Sequence, residues 1–168
     1  ALRMSNIKNY KYDWIWEKTI GTNFMNVKKM PNRSYEKISV FYNKLPTYNP
    51  QMREGKPYKT TGGRTFAHTG TNRTACVSEG GRYPLTVVKA PNCNSKSLHP
   101  TQKPLDLMQW LVRTYTNPSE LILDPYAGSG STCHAALIEG RNYIGIERDE
   151  NYHAIATRRI SEAKELVA

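Results

Sequence analysis

"LILDPYAGSGST", residues 121–132, decides the fold. Leu121, Ile122 and Leu123 read as a short buried strand. Asp124 and Pro125 end it, and Gly128 and Gly130 permit a tight turn that lets the backbone approach a ligand. Ser129 or Ser131 can cap the helix that follows, through about Ile138, and Gly140 is suited to end it. A strand running through a glycine turn into a helix opens an α/β unit whose helix N-terminus faces a binding crevice.

Working outward, "NYIGIE" (142–147) reads as a second strand. The tail, 150–167, sets Tyr152, Ile155, Ile160, Ala163 and Val167 on a helical stripe. Upstream, "PLDLMQWLVRTYT" (104–116) sets Leu105, Met108, Leu111, Val112 and Tyr115 on one helical face, with Pro104 in the first turn. Helix, strand, helix, strand, helix in this order predicts a parallel sheet with packed helices. Nearer the start, "YDWIW" (12–16), "ISVFY" (38–42) and "YPLTVVK" (83–89) are aromatic or β-branched and read as strands. "GTNFMNVKKMPNRSYE", between the first two, is too polar and punctuated for a long helix. From Asn43 to about Arg82, Gly, Pro, Thr, Lys and Arg dominate, which predicts an extended, loop-rich insertion.

The net charge of +10 is unevenly distributed. Residues 1–42 carry eight basic against three acidic side chains, residues 43–104 ten against two, and residues 105–168 six against nine. A basic front and a mildly acidic back imply two jobs, and the basic part suits a polyanion, nucleic acid above all. Cys76, Cys93 and Cys133 have no paired spacing, so neither a zinc site nor a disulfide framework is expected. Free thiols fit a cytoplasmic location. No apolar run reaches the length of a membrane span and no signal peptide is visible. The chain begins Ala-Leu-Arg-Met, which leads us to expect a missing N-terminus.

Three ligand classes use a glycine turn of this kind. A nucleoside triphosphate loop needs Gly-Lys-Ser/Thr, and here Ser131 and Thr132 follow Gly130 with no lysine. A dinucleotide turn wants a third glycine where this chain has Cys133. S-adenosylmethionine carries no phosphate and needs an acid for its ribose hydroxyls. Glu147 closes the second strand and is expected to face the crevice, while Asp124 closes the first.

"HPTQKP" (99–104), the helix after it, "DPYAGSGST" (124–132) and "IGIERDENY" (145–152) resemble the C-terminal half of DNA amino-methyltransferases, in the group whose cofactor turn follows the catalytic motif. The stretch 12–44 is similar to the strands and loop that follow that motif. The resemblance implies a Rossmann-like α/β methyltransferase sheet and S-adenosylmethionine as cofactor. It implies that the backbone of Tyr126, Ala127, Gly128, Ser129 and Gly130 lines the methionine portion, with Asp124 at its base and Glu147 on the ribose. Thr101, Gln102 and Lys103 are implied to close the site, Lys103 as a partner for the cofactor carboxylate, with His99 and Pro100 shaping the loop. Tyr126 stands where phenylalanine is more usual. Residues 45–98 hold the position of a target-recognition region. Lys44, Arg53, Lys56, Lys59, Arg64, Arg73 and Arg82 are candidate contacts to double-stranded DNA carrying a flipped base. Tyr48, Tyr58 and Phe66 could meet unstacked bases or fill a local core.

Methylating an exocyclic amine needs polar groups on the nitrogen and an aromatic ring on the flipped base, which the family supplies from an Asp/Asn/Ser-Pro-Pro-aromatic loop. No such tetrapeptide occurs here; "YNPQM" (48–52) lacks the second proline and the aromatic. No catalytic residue is therefore nominated. The loop's strand is expected between the strand ending at Asp124 and "YDWIW", and its absence with that of an edge strand leaves the sheet incomplete. The chain is thus expected to be a partial methyltransferase domain over 1–168, completed by an N-terminal part of the same protein. Adenine N6 is the expected target. Cytosine N4, a non-catalytic DNA-binding fragment and an RNA methyltransferase are the alternatives.

Overall fold

The structure is a computed structural model and describes residues 1–62, 75–93 and 98–167. In chain order the elements are α1 (Leu2–Ser5), β1 (Tyr10–Thr22), β2 (Arg33–Phe41), β3 (Arg53–Glu54), β4 (Tyr58–Thr60), β5 (Cys76–Ser78), β6 (Gly81–Arg82), β7 (Val87–Ala90), α2 (Leu105–Tyr115), β8 (Leu121–Asp124), α3 (Ser131–Ile138), β9 (Asn142–Gly145) and α4 (Glu150–Val167). They form two units, one of Ala1–Asn49 with Leu85–Ala168, the other of Pro50–Pro84.

In the larger unit β1 and β2 make an antiparallel hairpin whose connection holds a 3-10 turn at Phe24–Asn26. β7 joins the other side of β1 in parallel, Ile15 opposite Val87 through Lys18 opposite Ala90. Trp16, Ala90 and Leu107 are buried together, with Ile38, Val88 and Leu111 packed on them. The indole nitrogen of Trp16 donates to the Ala90 carbonyl at 2.9 Å, so this buried ring keeps its polar atom satisfied. Trp14 meets Trp110 of α2 edge to face at 4.8 Å.

β8 and β9 pair in parallel as a separate two-stranded sheet. α3 buries Cys133, Ala135 and Ala136 against neighbours, and α4 buries Ala156 and Ala163. These small residues let the helices approach closely. The expected order of helices and strands in this half is observed. Its α/β architecture with an incomplete sheet agrees with the expectation.

Four local readings change. The helix α2 buries Leu107, Val112 and Thr114, because it packs on the Trp16 cluster and on α3 at once and so has no single buried stripe. Neither Ser129 nor Ser131 caps α3; Gly130 takes the N-cap position at φ +74 without a side-chain bond. β1 runs to thirteen residues, its polar C-terminal half held by pairing to β2 and β7. β1 is flanked by β2 and β7, so "YDWIW" is not an edge strand; residues of β2 and Ile122 of β8 line one hollow.

Among the described residues, the smaller unit holds four short strands joined by loops. β3 pairs with β6 and β4 with β5, each antiparallel. Strands of two and three residues are too short to show any alternation in sequence. Arg64, Phe66 and Arg73 lie outside the described residues. Among the described residues no helix is long and apolar enough to cross a membrane, and no group of His, Cys, Asp and Glu could hold a metal ion.

Candidate functional site

The glycine turn is built by backbone bonds on both flanks. The Ile146 amide donates to the Asp124 carbonyl at 2.9 Å and the Ala127 amide to the Ile146 carbonyl at 2.9 Å, which clamps the turn to the end of β9. The Asp124 carboxylate accepts from the Tyr126 amide at 3.1 Å, closing a local turn after the strand. Gly128 and Gly130 take positive φ, +54 and +74. A side chain on Gly130 would meet the Ala156 methyl at 2.9 Å. Gly130 therefore serves the packing of the turn on α4 as well as its bend. Arg159 of α4 donates to the Ser129 carbonyl from behind.

Glu147 is directed at this turn. One carboxylate oxygen accepts the Gly128 amide at 2.8 Å, and the other accepts the Asp149 amide at 2.9 Å. The Asp149 and Gly128 N–H groups hold the carboxyl below its ordinary pKa, so it is ionised. Asp149 in turn accepts the amides of Asn151 and Tyr152 at 3.0 Å each, which starts α4 and fixes the corner. A hollow of about 230 Å³ beside β9 is lined by Ala127, Gly130, Cys133, Gly145, Glu147 and Ala156, among others. Gly145, which the sequence reading did not single out, lets Cys133 and Ala127 lie directly on the strand; a methyl there would sit 2.6 Å from the Cys133 sulfur.

His99 stands over the turn. Its ring lies 3.4 Å from where a Gly128 side chain would begin, and it meets the Tyr152 ring edge to face at 4.2 Å. Its Nδ1 is within hydrogen-bond reach of the Thr101 amide, at 3.2 Å, and hydroxyl, at 3.1 Å. The sequence reading gave His99 only a shaping role in its loop; the signal that could have raised it is its place two residues ahead of Thr101.

Thr101, Gln102 and Lys103 line a different hollow, of about 250 Å³, with Trp16, Lys18 and Glu36. Lys103 pairs with Glu36 at 2.8 Å, and Lys18 with the other oxygen at 2.6 Å. Both ammonium groups lie over the Trp16 ring. Burial pushes the Glu36 carboxyl up, but bonds from Lys103 and Lys18 outweigh it and the net shift is down. The bond to Glu36 uses one of the three N–H donors of the Lys103 ammonium. The Gln102 side chain accepts the Leu98 amide at 2.8 Å, which folds the loop on itself. The ten cofactor candidates thus fall into two groups: Asp124, the turn and Glu147 in one, Thr101 to Lys103 in the other. The side chain of Tyr126 is 89% exposed, so only its backbone belongs to the turn.

Of the basic candidates, Lys44, Arg53, Lys56 and Lys59 are exposed. Arg53 donates to the Tyr83 carbonyl at 3.3 Å. Arg82 is turned inward: it stacks on Tyr58 at 4.4 Å and donates to Ser78 at 2.6 Å and to the Lys56 carbonyl. It braces the ribbon. Tyr58 is thereby its platform, while Tyr48 lies beside Tyr115 at 6.2 Å. Asn49 of "YNPQM" accounts for α2's end, its side chain donating to the carbonyls of Arg113 at 3.2 Å and Thr116 at 3.1 Å.

A DNA methylase family covering N6 and N4 methyltransferases matches residues 2–158. The chain belongs to this family. It is 52% identical to YubD of Escherichia coli (strain K12) over 63 residues, 38% of this chain and 28% of that protein. It is 42% identical over 69 residues to the type II methyltransferase M.HinfI of Haemophilus influenzae, 41% of this chain and 19% of that protein. Among solved structures it resembles M1.HpyAVI in complex with SAM, at TM-score 0.58 and 26% identity, over 90% of this chain and 62% of that one. The chain therefore spans less than two thirds of the length of each of these three proteins.

Proposed function

We propose that the protein, in its complete form, transfers a methyl group from S-adenosylmethionine to adenine N6 in double-stranded DNA. The observation that carries this reading is the ionised Glu147 carboxylate held on the Gly128 amide, in a chain that the DNA methylase family matches nearly end to end. An ionised carboxylate at a strand end suits two ribose hydroxyls, which are both donors. The pair Asp124 and Glu147 suits a ligand bearing a positive sulfonium, and the turn offers backbone where a phosphate-binding lysine is absent. The residues present thus fit the cofactor.

S-adenosylmethionine would supply an electrophilic methyl group. The turn at 126–130 would hold its methionine part, and Glu147 would fix the sugar so that the methyl group is presented in a set direction. His99 and Tyr152 would cover the turn from the outside. On the smaller unit, Arg53, Lys56 and Lys59 would neutralise phosphates, while Arg82 keeps the ribbon that carries them in shape. The base would be extruded into the site before transfer.

Two other readings keep specific support. The matching family spans N4 as well as N6 methyltransferases, so cytosine is the second target. For this polypeptide taken alone, Asn49 is engaged as a cap in the segment nearest to the catalytic tetrapeptide, which favours DNA binding without transfer. One experiment separates all three. Full-length protein and the 168-residue chain are each incubated with unmethylated DNA and labelled cofactor, and the DNA is digested to nucleosides. N6-methyladenine is expected; N4-methylcytosine moves the target, and DNA binding with no label in either nucleoside overturns transfer.

A further inference from the structure

The connection between β1 and β2 forms a tip of definite shape. Its neck is tight. Gly21 lets the two arms close, since a side chain there would meet the Asn32 Cβ at 2.8 Å, and the Thr22 hydroxyl donates to the Arg33 carbonyl at 3.2 Å. Beyond the neck Asn23 takes φ +74, and its side-chain oxygen accepts from the Asn26 side-chain amide at 2.8 Å. The Lys29 and Met30 amides both donate to the Asn26 carbonyl, at 2.9 and 3.0 Å. These consecutive turns leave Phe24 75% and Met25 87% exposed, with Val27 and Met30 half-exposed. Between Glu17 and Glu36 the chain has four basic side chains and no acidic one. Lys18 is held by Glu36. Lys28, Lys29 and Arg33 are exposed and have no acidic partner among the described residues.

The neck lies beside the site. β1 and β7 run parallel, and the neck follows the carboxyl end of β1. There Asn92, just beyond β7, accepts the Ile20 amide at 3.3 Å and donates to the Ile20 carbonyl at 3.0 Å. Thr22 shares a hollow with Thr101, Gln102 and Lys103. Their loop also sets His99 over Gly128, so the tip springs from the loop cluster that covers the glycine turn. We infer that the tip is a DNA-contacting element in its own right, with Phe24 and Met25 resting on unstacked bases and Lys28, Lys29 and Arg33 on the phosphates beside them. A cationic surface without acids complements a polyanion. The interleaved apolar residues distinguish nucleic acid from a protein partner. The core of a protein interface is depleted in lysine, whereas proteins that open a base stack combine lysine and arginine with apolar wedges. An extruded base leaves an opened stack behind it, and in that respect the inference rests on the proposed function. These residues lie outside the 45–98 stretch, so they form a second contact with the same duplex.

Binding tests it without reference to methyl transfer. Full-length protein is titrated with fluorescein-labelled duplex DNA, intact or carrying one abasic position, over a range of salt. Phe24→Ala and Met25→Ala are expected to weaken binding to the abasic duplex by at least about fivefold with the salt slope unchanged. Lys28→Ala and Lys29→Ala should each lower the slope by about one unit. All four residues are exposed, so S-adenosylmethionine affinity should keep its native value, which checks that the fold is intact. Met25 gives a second readout in the unsubstituted protein. Its oxidation by peroxide, followed by mass spectrometry, should be at least about tenfold slower with duplex bound than in free protein. Native affinity and slope in all four variants overturn the inference, as does bound duplex that leaves Met25 oxidation unchanged. So does Met25 already protected without DNA, because the rest of the protein or a second copy then covers the tip. Absence of duplex binding by the full-length protein overturns the inference and the proposed function together. Protection and weakened binding without methyl transfer would keep the inference and remove only the enzymatic reading.

Discussion

At the residue scale the site is a few atoms deep. Gly130 is fixed twice, by its φ of +74 and by the Ala156 methyl at 2.9 Å from any added side chain. Gly130→Ala should destabilise the fold by about 1–3 kcal/mol through backbone strain and overlap, read by urea denaturation. Gly128→Val meets the same strain at φ +54 and the His99 ring, and should weaken cofactor binding in a titration. Glu147 gives a pH signature. Its folded pKa lies below the ordinary 4.5 because the Asp149 and Gly128 amides favour the carboxylate. Such a group stabilises the fold above its unfolded pKa, and that stability is lost as pH falls through the folded value. The Gly128 amide resonance should therefore shift with a midpoint below 4.5, and Glu147→Gln should remove that transition. Cys133 differs from its neighbours in reactivity: burial first, then the Asp124 charge, push its thiol up to about 11. Iodoacetamide at mildly alkaline pH should label the exposed Cys76 and spare Cys133 until the protein unfolds, which mass spectrometry reads directly.

At the scale of elements, the smaller ribbon separates two kinds of basic residue. Lys59→Ala should lower DNA affinity and reduce the salt slope by about one unit, since one phosphate contact is lost. Arg82→Ala removes the contacts to Tyr58, Ser78 and the Lys56 carbonyl, so it should speed exchange of the Cys76–Ser78 amides even without DNA. Equal effects of both substitutions on exchange would contradict this division. The elements were unevenly legible. α2 and α4 stood out because apolar residues recur at helical spacing, and β8 because three apolar residues precede a turn. β3 to β6 did not, since two or three residues carry no period. Leu107 escaped the α2 stripe because that helix is buried on two sides. The second half of β1 escaped because its polar side chains, such as Lys18, are satisfied by Glu36 across the hairpin.

For the whole molecule, the front and back halves of the chain meet through α2, which packs on the Trp16 cluster and on α3. The partial sheet agrees with the expectation, β8–β9 standing apart from β2–β1–β7 among the described residues. Pairing decides which edge is left open, and β7 returns from far along the chain to cover β1. The grouping of Asp124, the turn and Glu147 at one corner was legible because each lies near a strand end in sequence. The Lys103–Glu36 pair was not, because Glu36 lies on a distant hairpin. The central claim is that Glu147 fixes the sugar of a sulfonium nucleoside at the glycine turn. It is tested most directly by isothermal titration of full-length protein and Glu147→Ala with S-adenosylmethionine and with an analogue lacking the ribose hydroxyls. The account predicts that the substitution weakens S-adenosylmethionine by about 10- to 100-fold, as for lost charge-assisted hydrogen bonds, and changes the analogue little. Equal losses for both ligands, or no loss for either, would contradict it.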